Sequence, residues 1–344
     1  MPGGRPGRVD RPGAPAIWLN PAAMKAFVSG CAGFIGSHLT ESLLADGHTV
    51  LGVDAFTPNY DHAQKLSNLA CAQASEGFEL VTLDLAEGDL GTLVDGCDVI
   101  FHLAAEPGVR NSWGATFAPY VKNNITALQN LLEAARRQPE RRFVYASSSS
   151  IYGQASRFPT SEDVEPAPFS PYGVTKLAGE HLCGAYRMNF GLDVVALRYF
   201  TVYGPRQRPD MAFNIFSHRL LRGEAIELFG GDQTRDFTYV SDIVAATRSA
   251  GATQGLGGRA FNVGGGSSVS LGDVVDLLGE VAGERPLVRR VQVQHGDVRD
   301  TSADIGAARE ALGYNPSVAV AEGLKAEWEW VSSSSARVDE PAPS

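Results

Sequence analysis

The feature that most constrains the fold is the pattern of residues 25–54. It begins with a short apolar run and continues with three glycines at intervals of three residues, Gly30, Gly33 and Gly36. Apolar residues then recur at helical intervals over 35–45, and a second apolar run ends on Asp54. This order predicts a buried strand, a tight turn, a helix and a second strand, which together are typical of a parallel sheet.

Each part of this unit suits the binding of a dinucleotide. Gly30 permits a sharp turn off the strand, Gly33 lets a pyrophosphate approach the backbone, and Gly36 lets the helix pack closely on the sheet. The helix N-terminus offers free N–H groups and a partial positive charge to phosphates. Asp54 follows Gly36 by eighteen residues, which is about the spacing of a carboxylate that binds ribose hydroxyls. Because this charge repels a 2′-phosphate, the pattern favours NAD over NADP. The alternative for the whole unit is an ordinary strand–turn–helix that binds no dinucleotide.

Later segments continue the alternation of strands and helices. Apolar runs at 79–83, 99–103 and 142–146 predict further buried strands, and 120–135 has the spacing of an amphipathic helix. We therefore predict an α/β fold with a Rossmann-type, doubly wound parallel sheet. Its ligand is expected at the edge where the strands have their carboxyl ends.

Several residues at the predicted strand ends suit a cofactor. Asp84 and Leu85 fit an adenine pocket, although an acid satisfied within its own loop fits the pattern nearly as well. Ala104 and Ala105 are small enough to allow close approach of a cofactor. His102 is interpreted as a packed core histidine and not as a catalyst.

The length of 344 residues suggests two domains, or one large α/β unit with a smaller appendage. Residues 24–200 are predicted to form mainly the dinucleotide-binding domain. Residues 201–331, where short strands mix with helices, are predicted to form mainly a smaller, mixed α/β substrate-binding lobe, with strands free to cross back. The Gly-, Pro- and Arg-rich segment 1–23 and the Ser- and Pro-rich segment 332–344 are predicted to be disordered.

The composition argues against several classes of partner. The formal net charge is −10 and no basic cluster is present, so nucleic acid and anionic membranes are not expected to bind. An anionic substrate must then be held by a few local cations. The four cysteines form no CxxC pair and no zinc spacing, so we predict no metal site and free thiols in a reducing cytoplasm. No apolar run reaches the length of about eighteen residues that a membrane span requires.

A second group of residues carries the chemistry. The strand at 142–146 runs into four consecutive serines, which include Ser148. Tyr172 and Lys176 follow at positions i and i+4 of a predicted helix, so they lie on one face. The lysine charge and a positive nicotinamide ring would lower the phenol pKa from its usual value of about 10, so that the phenol acts as a base. Ser148 could share a hydrogen bond with a substrate hydroxyl, and a chance surface pair is the alternative.

Together these motifs resemble an extended short-chain dehydrogenase/reductase of the nucleotide-sugar epimerase/dehydratase family. The resemblance covers about Lys25 to Trp330. It implies that Ser148 is the catalytic serine, that Tyr172 is the base, and that Lys176 is its partner and holds the nicotinamide ribose. It also implies NAD as cofactor, with contacts at the glycine turn and at Phe34, Ile35, Asp54, Asp84, Leu85, Leu103, Ala104, Ala105, Asn124, Tyr172, Lys176 and Tyr199.

Two positions in the serine run bear on the reaction. Sugar-nucleotide 4,6-dehydratases carry an Asp-Glu pair where this chain has Ser149 and Ser150, and UDP-glucuronate decarboxylases usually carry a Glu at the position of Ser150. Without these acids the site can oxidise and re-reduce a carbinol but is poorly equipped to eliminate water. The resemblance therefore favours epimerisation.

The segment 198–211 resembles that of UDP-glucuronate 4-epimerases within the family. UDP-galactose 4-epimerases generally have Asn where this chain has Thr201. The resemblance implies that Thr201 and Arg208 hold the sugar carboxylate, for which the planar fork of arginine is suited. The alternative is that Arg206 and Arg208 only contact diphosphate or solvent.

Further family positions concern the UDP moiety. Arg235 matches the diphosphate-binding arginine, and Asp297 matches an acid on the uridine ribose. A second phosphate arginine is not clear, although Arg299 is close enough to substitute. Ser148, Ser149, Ser150 and Tyr172 complete the predicted substrate contacts.

The function expected from the resemblance is reversible inversion at C4 of UDP-glucuronate through a 4-keto intermediate. The first alternative is a UDP-glucose/UDP-galactose 4-epimerase. A UDP-sugar decarboxylase or dehydratase and a non-catalytic NAD-binding regulator are lesser alternatives. The family also implies a homodimer that pairs the helices predicted at 120–135 and 172–190.

Overall fold

The computed structural model describes residues 23–292 and 298–338. The predicted leader up to residue 22, Asp297 and the last six residues of the predicted tail lie outside the described residues. In the described part, the strands are β1 (Lys25–Ser29), β2 (Thr49–Asp54), β3 (Phe78–Thr82), β4 (Val99–His102), β5 (Arg142–Ser148), β6 (Asp193–Tyr199), β7 (Thr201–Tyr203), β8 (Ile226–Phe229), β9 (Thr234–Tyr239), β10 (Ala260–Val263), β11 (Ser268–Ser270) and β12 (Val288–Val291).

The helices alternate with these strands for most of the chain. They are α1 (Phe34–Ala45), α2 (His62–Asn68), α3 (Ala70–Gln73), α4 (Phe117–Val121), α5 (Ala127–Ala135), α6 (Pro171–Phe190), α7 (Ala212–Leu221), α8 (Val240–Ala252), α9 (Leu271–Ala282), α10 (Gly306–Leu312) and α11 (Val320–Val338). A π-helical turn, Lys122–Thr126, joins α4 to α5, and a 3-10 turn, Ser149–Tyr152, follows β5.

The main sheet has seven parallel strands in the order β10-β6-β5-β4-β1-β2-β3. The strand order therefore reverses between β1 and β4, and ligands of doubly wound sheets bind at such a reversal. The predicted Rossmann-type α/β fold is confirmed.

Side chains of the central strands alternate between two cores, because successive residues of a strand point to opposite faces. Val28 packs in the core that holds α1 and α8, whereas Phe27 packs in the core that holds α5 and part of α6. Both side chains are fully buried, and burial of one such side chain contributes about 2 kcal/mol to stability. With helices on both faces, the cleft can form only at an edge of the sheet.

A smaller lobe follows the last residue of β6. Its three-stranded sheet has the order β11-β9-β7, and β12 pairs in parallel with β8. These strands and helices α7, α9 and α11 share a third core, to which Phe213, Phe237 and Leu324 contribute. The lobe is mixed α/β, as predicted.

The chain returns to the main sheet after β9. Helix α8 packs against α1, and β10 pairs in parallel with β6 as the edge strand. Residues 240–263 therefore add a helix and an edge strand to the main domain, a crossing back for which the predicted division at residue 200 left room. In the described part of the chain, none of the helices combines the length and the apolar character needed to cross a bilayer.

Two predicted segments differ from the structure. The helix predicted at 120–135 is two α-helices joined by the π-helical turn, which an apolar period cannot reveal. Disorder was predicted from residue 332, but α11 continues to Val338. Val331 is fully buried, and the Ser332 hydroxyl donates to the Trp328 carbonyl at 2.8 Å. Serines can bond in this way inside a helix, so the serine run does not end α11.

Helix α11 also carries a buried acid. Glu327 is fully buried, and its Oε2 accepts a hydrogen bond from the Gly204 N–H at 2.8 Å. Its Oε1 has no hydrogen-bond partner. Burial raises the pKa of Glu327 to about 8, although the bond from Gly204 opposes the shift.

We expect Glu327→Gln to gain stability relative to the wild type as pH rises. The unfolded carboxyl ionises near its ordinary pKa of 4.5, whereas the folded one keeps its proton up to about pH 8. Wild-type stability is therefore lost between these values, by at most about 5 kcal/mol, and the glutamine cannot ionise. Thermal unfolding from about pH 5 to about pH 8 measures the difference. Glu329→Gln, on the same helix but exposed, is the control, and a constant Tm difference for Glu327→Gln would contradict the shift.

Candidate functional site

A cleft of about 1150 Å³, including its open mouth, lies along the edge formed by the ends of the parallel strands. The predicted residues that line it are Gly30, Gly33, Phe34, Ile35, Gly36, Asp54, Asp84, Leu85, Leu103, Ala104, Ala105, Tyr172, Lys176, Tyr199 and Arg208. Residues from both halves of the chain thus meet in one cleft. Thr57, Asn59 and Tyr60, in the loop after Asp54, also line it, and the sequence analysis missed Lys65, Asn123 and Ser147.

The glycine turn forms one wall of this cleft. Gly30 has a φ of +72° and donates to the Val53 carbonyl at 2.7 Å. A Cβ on Gly30 would lie 2.8 Å from the Ala104 nitrogen, and a Cβ on Gly36 would lie 2.0 Å from the Gly30 oxygen. Helix α1 begins here without a side-chain cap. The turn therefore brings free helical N–H groups to a wall without side chains, which fits a dinucleotide pyrophosphate.

Two acids lie at neighbouring strand ends. Asp54, at the end of β2, accepts from the Ala32 N–H at 3.1 Å and the Phe56 N–H at 2.8 Å. Asp84 forms an ion pair with Lys122 at 2.8 Å, and Leu85 beside it is buried. The fixed position of Asp54 suits a ribose. Asp84 has a partner of its own, and its predicted place in an adenine pocket stays a prediction.

The loop after β2 forms the far wall. Lys65 donates to the Thr57 carbonyl at 2.7 Å, and its ammonium lies 4.9 Å from the centre of the Tyr60 ring. Lys65 is itself buried. The sequence signal for these contacts was only a polar loop next to Asp54.

The predicted catalytic pair lies at the start of α6. Ser170 caps this helix by accepting from the Gly173 N–H at 3.1 Å, and Pro171 occupies the first turn. Tyr172 and Lys176 therefore face the cleft from a helix end of fixed position. Lys176 is almost fully buried and donates to the Ala146 carbonyl at 2.8 Å. Burial lowers the pKa of Lys176 to about 8.

The surroundings of Tyr172 differ from the prediction in one respect. Burial raises the pKa of its phenol, while a hydrogen bond with Ser148 and the charge of Arg208 oppose that rise. Lys176 is the residue expected to lower this pKa. Its ammonium instead donates to the Ala146 carbonyl and lies 5.2 Å from the centre of the Tyr145 ring. The protein groups that favour the phenolate are thus Ser148 and Arg208.

The serine run lies next to this pair. Ser148 is nearly buried, accepts from the Ser150 N–H at 3.1 Å and contacts the Ser150 hydroxyl at 3.1 Å. Ser149 and Ser150 are half-buried in the 3-10 turn and, like Ser148, do not line the cleft. Their predicted contacts with a substrate stay predictions.

Asn124 is placed behind the cleft and not in it. Its side chain accepts from the Glu106 N–H at 2.7 Å and donates to the Thr175 hydroxyl at 2.9 Å. Asn123 lines the cleft instead and donates to a Glu106 carboxylate oxygen at 3.2 Å. Asn124 thus joins the loop after β4 to α6, and its predicted contact with the cofactor stays a prediction.

Arg206 and Arg208 have different partners. Arg206 donates to both carboxylate oxygens of Glu41 on α1, at 2.8 and 3.1 Å. Arg208 lines the cleft and forms two hydrogen bonds with Asp210, at 3.0 and 2.9 Å. Arg206 is thus a link between the lobe and α1, and Arg208 is the one of these two arginines that lines the cleft.

Among the described residues, the other predicted substrate contacts, Thr201, Arg235 and Arg299, do not line the cleft. Thr201 is half-buried at the start of β7. Arg235 donates to the Val298 carbonyl at 2.7 Å and the Arg299 carbonyl at 2.9 Å, while the Arg299 side chain is exposed. With Asp297 outside the described residues, the predicted contacts with UDP stay predictions.

His102, at the end of β4, belongs to the core of the main sheet. His102 is buried against Ser29 and Tyr145, and burial lowers its pKa to about 3. This confirms that it is a core histidine. In residues 23–292 and 298–338, no group of three or more His, Cys, Asp and Glu side chains is arranged to hold a metal ion.

Comparison with known proteins agrees with this geometry. A family model described as the NAD dependent epimerase/dehydratase family matches residues 26–264. The chain belongs to this family. The resemblance noted in the sequence is thereby confirmed.

Individual members of the epimerase/dehydratase family are similar over almost the whole chain. An uncharacterized UDP-glucose epimerase of Bacillus subtilis (strain 168), YtcB, is 45% identical over 312 residues, which cover 90% of this chain and 98% of YtcB. A UDP-glucuronic acid 4-epimerase from Bacillus cereus, solved with UDP-glucuronic acid and NAD, is 42% identical with a TM-score of 0.88, over 90% of this chain and 99% of that one. MoeE5, solved with NAD and either UDP-glucuronic acid or UDP-glucose, is 41% identical with a TM-score of 0.81 over the same shares.

The two neighbouring asparagines of this family member are expected to differ when mutated. Asn124→Ala leaves the Glu106 N–H without its acceptor and removes the donor to the Thr175 hydroxyl, which should cost about 2–3 kcal/mol of stability and weaken NAD binding by loosening the loop. Asn123→Ala is the control, because Asn123 lines the cleft and is half-buried, so we expect stability to change by less than about 1 kcal/mol. Thermal unfolding with and without NAD measures both, and equal Tm values for the two variants would contradict the assignment.

Proposed function

We propose that this protein uses NAD to invert C4 of UDP-glucuronate, giving UDP-galacturonate. The observation that carries the proposal is that Arg208, a cation suited to a sugar carboxylate, lines the same cleft as Tyr172. The charge of Arg208 also opposes the rise in the pKa of the Tyr172 phenol. Ser149 and Ser150 stand where relatives that eliminate or decarboxylate carry acids. Two solved relatives bind UDP-glucuronic acid together with NAD, which supports UDP-glucuronate as the substrate and NAD as the cofactor.

The residues of the cleft account for the proton transfers. Tyr172 takes the proton of the C4 hydroxyl, and Ser148, whose interaction with Tyr172 opposes the rise in the phenol pKa, orients that hydroxyl. When bound, NAD supplies the hydride acceptor and donor. The 4-keto sugar then turns about its link to the diphosphate, and Tyr172 returns the proton after hydride has reached the opposite face.

A second acid lies near the site, and an acid there could promote elimination from the 4-keto intermediate. Glu106 lies in the loop after β4, but its carboxylate accepts hydrogen bonds from Asn59 and Asn123, each at 3.2 Å. It does not line the cleft. These two amides occupy the Glu106 carboxylate, which supports epimerisation over elimination.

Epimerisation of the neutral pair UDP-glucose and UDP-galactose is the second candidate. YtcB is named as a UDP-glucose epimerase, and MoeE5 binds UDP-glucose as well as UDP-glucuronic acid. A cleft of this shape therefore accepts both sugars in a relative. The charge of Arg208 favours the acid sugar.

The test is to identify the product by NMR after incubation with UDP-glucuronate. We expect UDP-galacturonate from the wild type and none from Tyr172→Phe, because the variant lacks the hydroxyl that accepts the proton. UDP-glucose and UDP-N-acetylglucosamine complete the substrate panel. A pentose with released CO₂, or conversion of UDP-glucose alone, would refute the assignment.

A homodimer that pairs the helical segment 120–135, which runs from the end of α4 through α5, with α6 is a further part of the proposal. Val174 and Met188 are 49% and 87% exposed on α6, and Val121 on α4 is 36% exposed. Fourteen residues separate Val174 from Met188, close to four helical turns, so both lie on one side of α6. A cytoplasmic location is proposed as well, and it is supported by four cysteines that are all free.

We expect Val174→Glu combined with Met188→Glu to convert the dimer to a monomer, because two charges would be buried in the interface. Sedimentation velocity measures the mass. Leu287→Glu is the matched control, since Leu287 is 63% exposed in the smaller lobe and should leave the mass unchanged. A wild-type monomer, or a dimeric double variant, would contradict the proposed interface.

A further inference from the structure

We propose that Asp210 is a specificity-determining residue, whose carboxylate occupies the fork of Arg208 and is exchanged there for the carboxylate of the sugar. The inference rests on the proposed function. It adds a second carboxylate that competes with the substrate for the same guanidinium.

The contact between these two side chains is bidentate. Arg208 Nε donates to Asp210 Oδ1 at 3.0 Å, and Arg208 Nη2 donates to Asp210 Oδ2 at 2.9 Å. The Arg208 side chain is 19% exposed and the Asp210 side chain 47% exposed. Arginine and carboxylate form their strongest pairs in this geometry, so one edge of the fork is engaged before a substrate arrives.

The backbone around the pair is fixed. Arg208 and Met211 close a tight turn through a 3.0 Å hydrogen bond, and Asn214 donates to the Gln207 side chain and carbonyl at 3.0 and 2.9 Å. On the other side, Arg206 is held by Glu41. An exchange of partners at Arg208 therefore requires only rotation of the Asp210 side chain, which already has access to solvent.

Electrostatic repulsion also favours exchange of the two carboxylates over simultaneous binding of both to Arg208. The charge of Arg208 acts on Glu106, and Asp210 and Glu106 both act on the phenol of Tyr120. A sugar carboxylate on Arg208 with Asp210 still in place would add a third negative charge to this group. At about 4 Å, like charges repel by about 1 kcal/mol even in water and by more near a protein surface.

The proposed reaction makes use of this exchange of partners at Arg208. The 4-keto sugar must turn over between the two hydride transfers, so its carboxylate has to leave Arg208 during each turnover. Asp210 can pair with the guanidinium in that interval, and the partly buried cation is never left without a partner. A neutral sugar would leave the Arg208–Asp210 pair intact.

Asp210→Asn tests the inference, because asparagine keeps the shape but not the charge. The variant should hold the sugar carboxylate more tightly and release it more slowly. We expect both KM and kcat for UDP-glucuronate to fall by about fivefold, the factor that corresponds to loss of an exposed ion pair of about 1 kcal/mol. The kinetic constants for UDP-glucose should not change.

A binding experiment makes the test independent of turnover. In the Tyr172→Phe background, calorimetry should show about fivefold tighter binding of UDP-glucuronate when Asp210→Asn is added, and no change for UDP-glucose. Asp232→Asn is the matched control, because it removes the same charge from the exposed Arg290–Asp232 pair of the smaller lobe, at 3.1 Å. It should change neither KM nor the dissociation constant.

If Asp210 only positions Arg208, Asp210→Asn will weaken UDP-glucuronate binding and raise KM, and the inference fails. Equal effects on UDP-glucuronate and UDP-glucose would also overturn it. A wild type that does not convert UDP-glucuronate would refute the proposed function, and the calorimetric comparison would still decide the role of Asp210.

Discussion

The close contact between the glycine turn and the end of β4 is the constraint on which the site depends. Any side chain at Gly30 would meet the Ala104 backbone, and any side chain at Gly36 would meet the Gly30 carbonyl. Because these positions lack side chains, β1, α1 and the loop after β4 approach one another at the point where the strand order reverses. The cleft opens at this point, and α6 then brings Tyr172 to it from the other side.

The smaller lobe is joined to the same helix that follows the glycine turn. His38 on α1 contacts the Pro205 carbonyl at 2.9 Å, and Arg206 pairs with Glu41. Arg206 has a φ of +67°, a left-handed conformation that costs a non-glycine residue roughly 1 kcal/mol. Two hydrogen bonds to one carboxylate can offset that cost. Arg208 is two residues away, so the arginine that lines the cleft is positioned by the helix that follows the glycine turn.

Much of this arrangement follows from short-range sequence patterns. The glycine turn, Asp54 and the Tyr172–Lys176 pair are each specified by spacing within one unit of structure, and the structure places all of them in the cleft. The role of Asn124 depends on Thr175, 51 residues away, and on a π-helical turn that leaves no periodic signal. The link between His38 and Pro205 spans 167 residues. Such partners are set by tertiary packing, which one sequence does not display.

The cations of the cleft explain how a chain of net charge −10 can accept an anionic ligand. In the described part of the chain, the basic residues that line the cleft are Lys65, Lys176 and Arg208. Each already has an acceptor: the Thr57 carbonyl, the Ala146 carbonyl and the Asp210 carboxylate. The first two acceptors belong to the backbone and are neutral, so an arriving anion can add to these cations without repulsion from their partners. Only Arg208 is paired with a charged side chain that can move, and for this reason its partner, and not the cation itself, can distinguish an acid sugar from a neutral one.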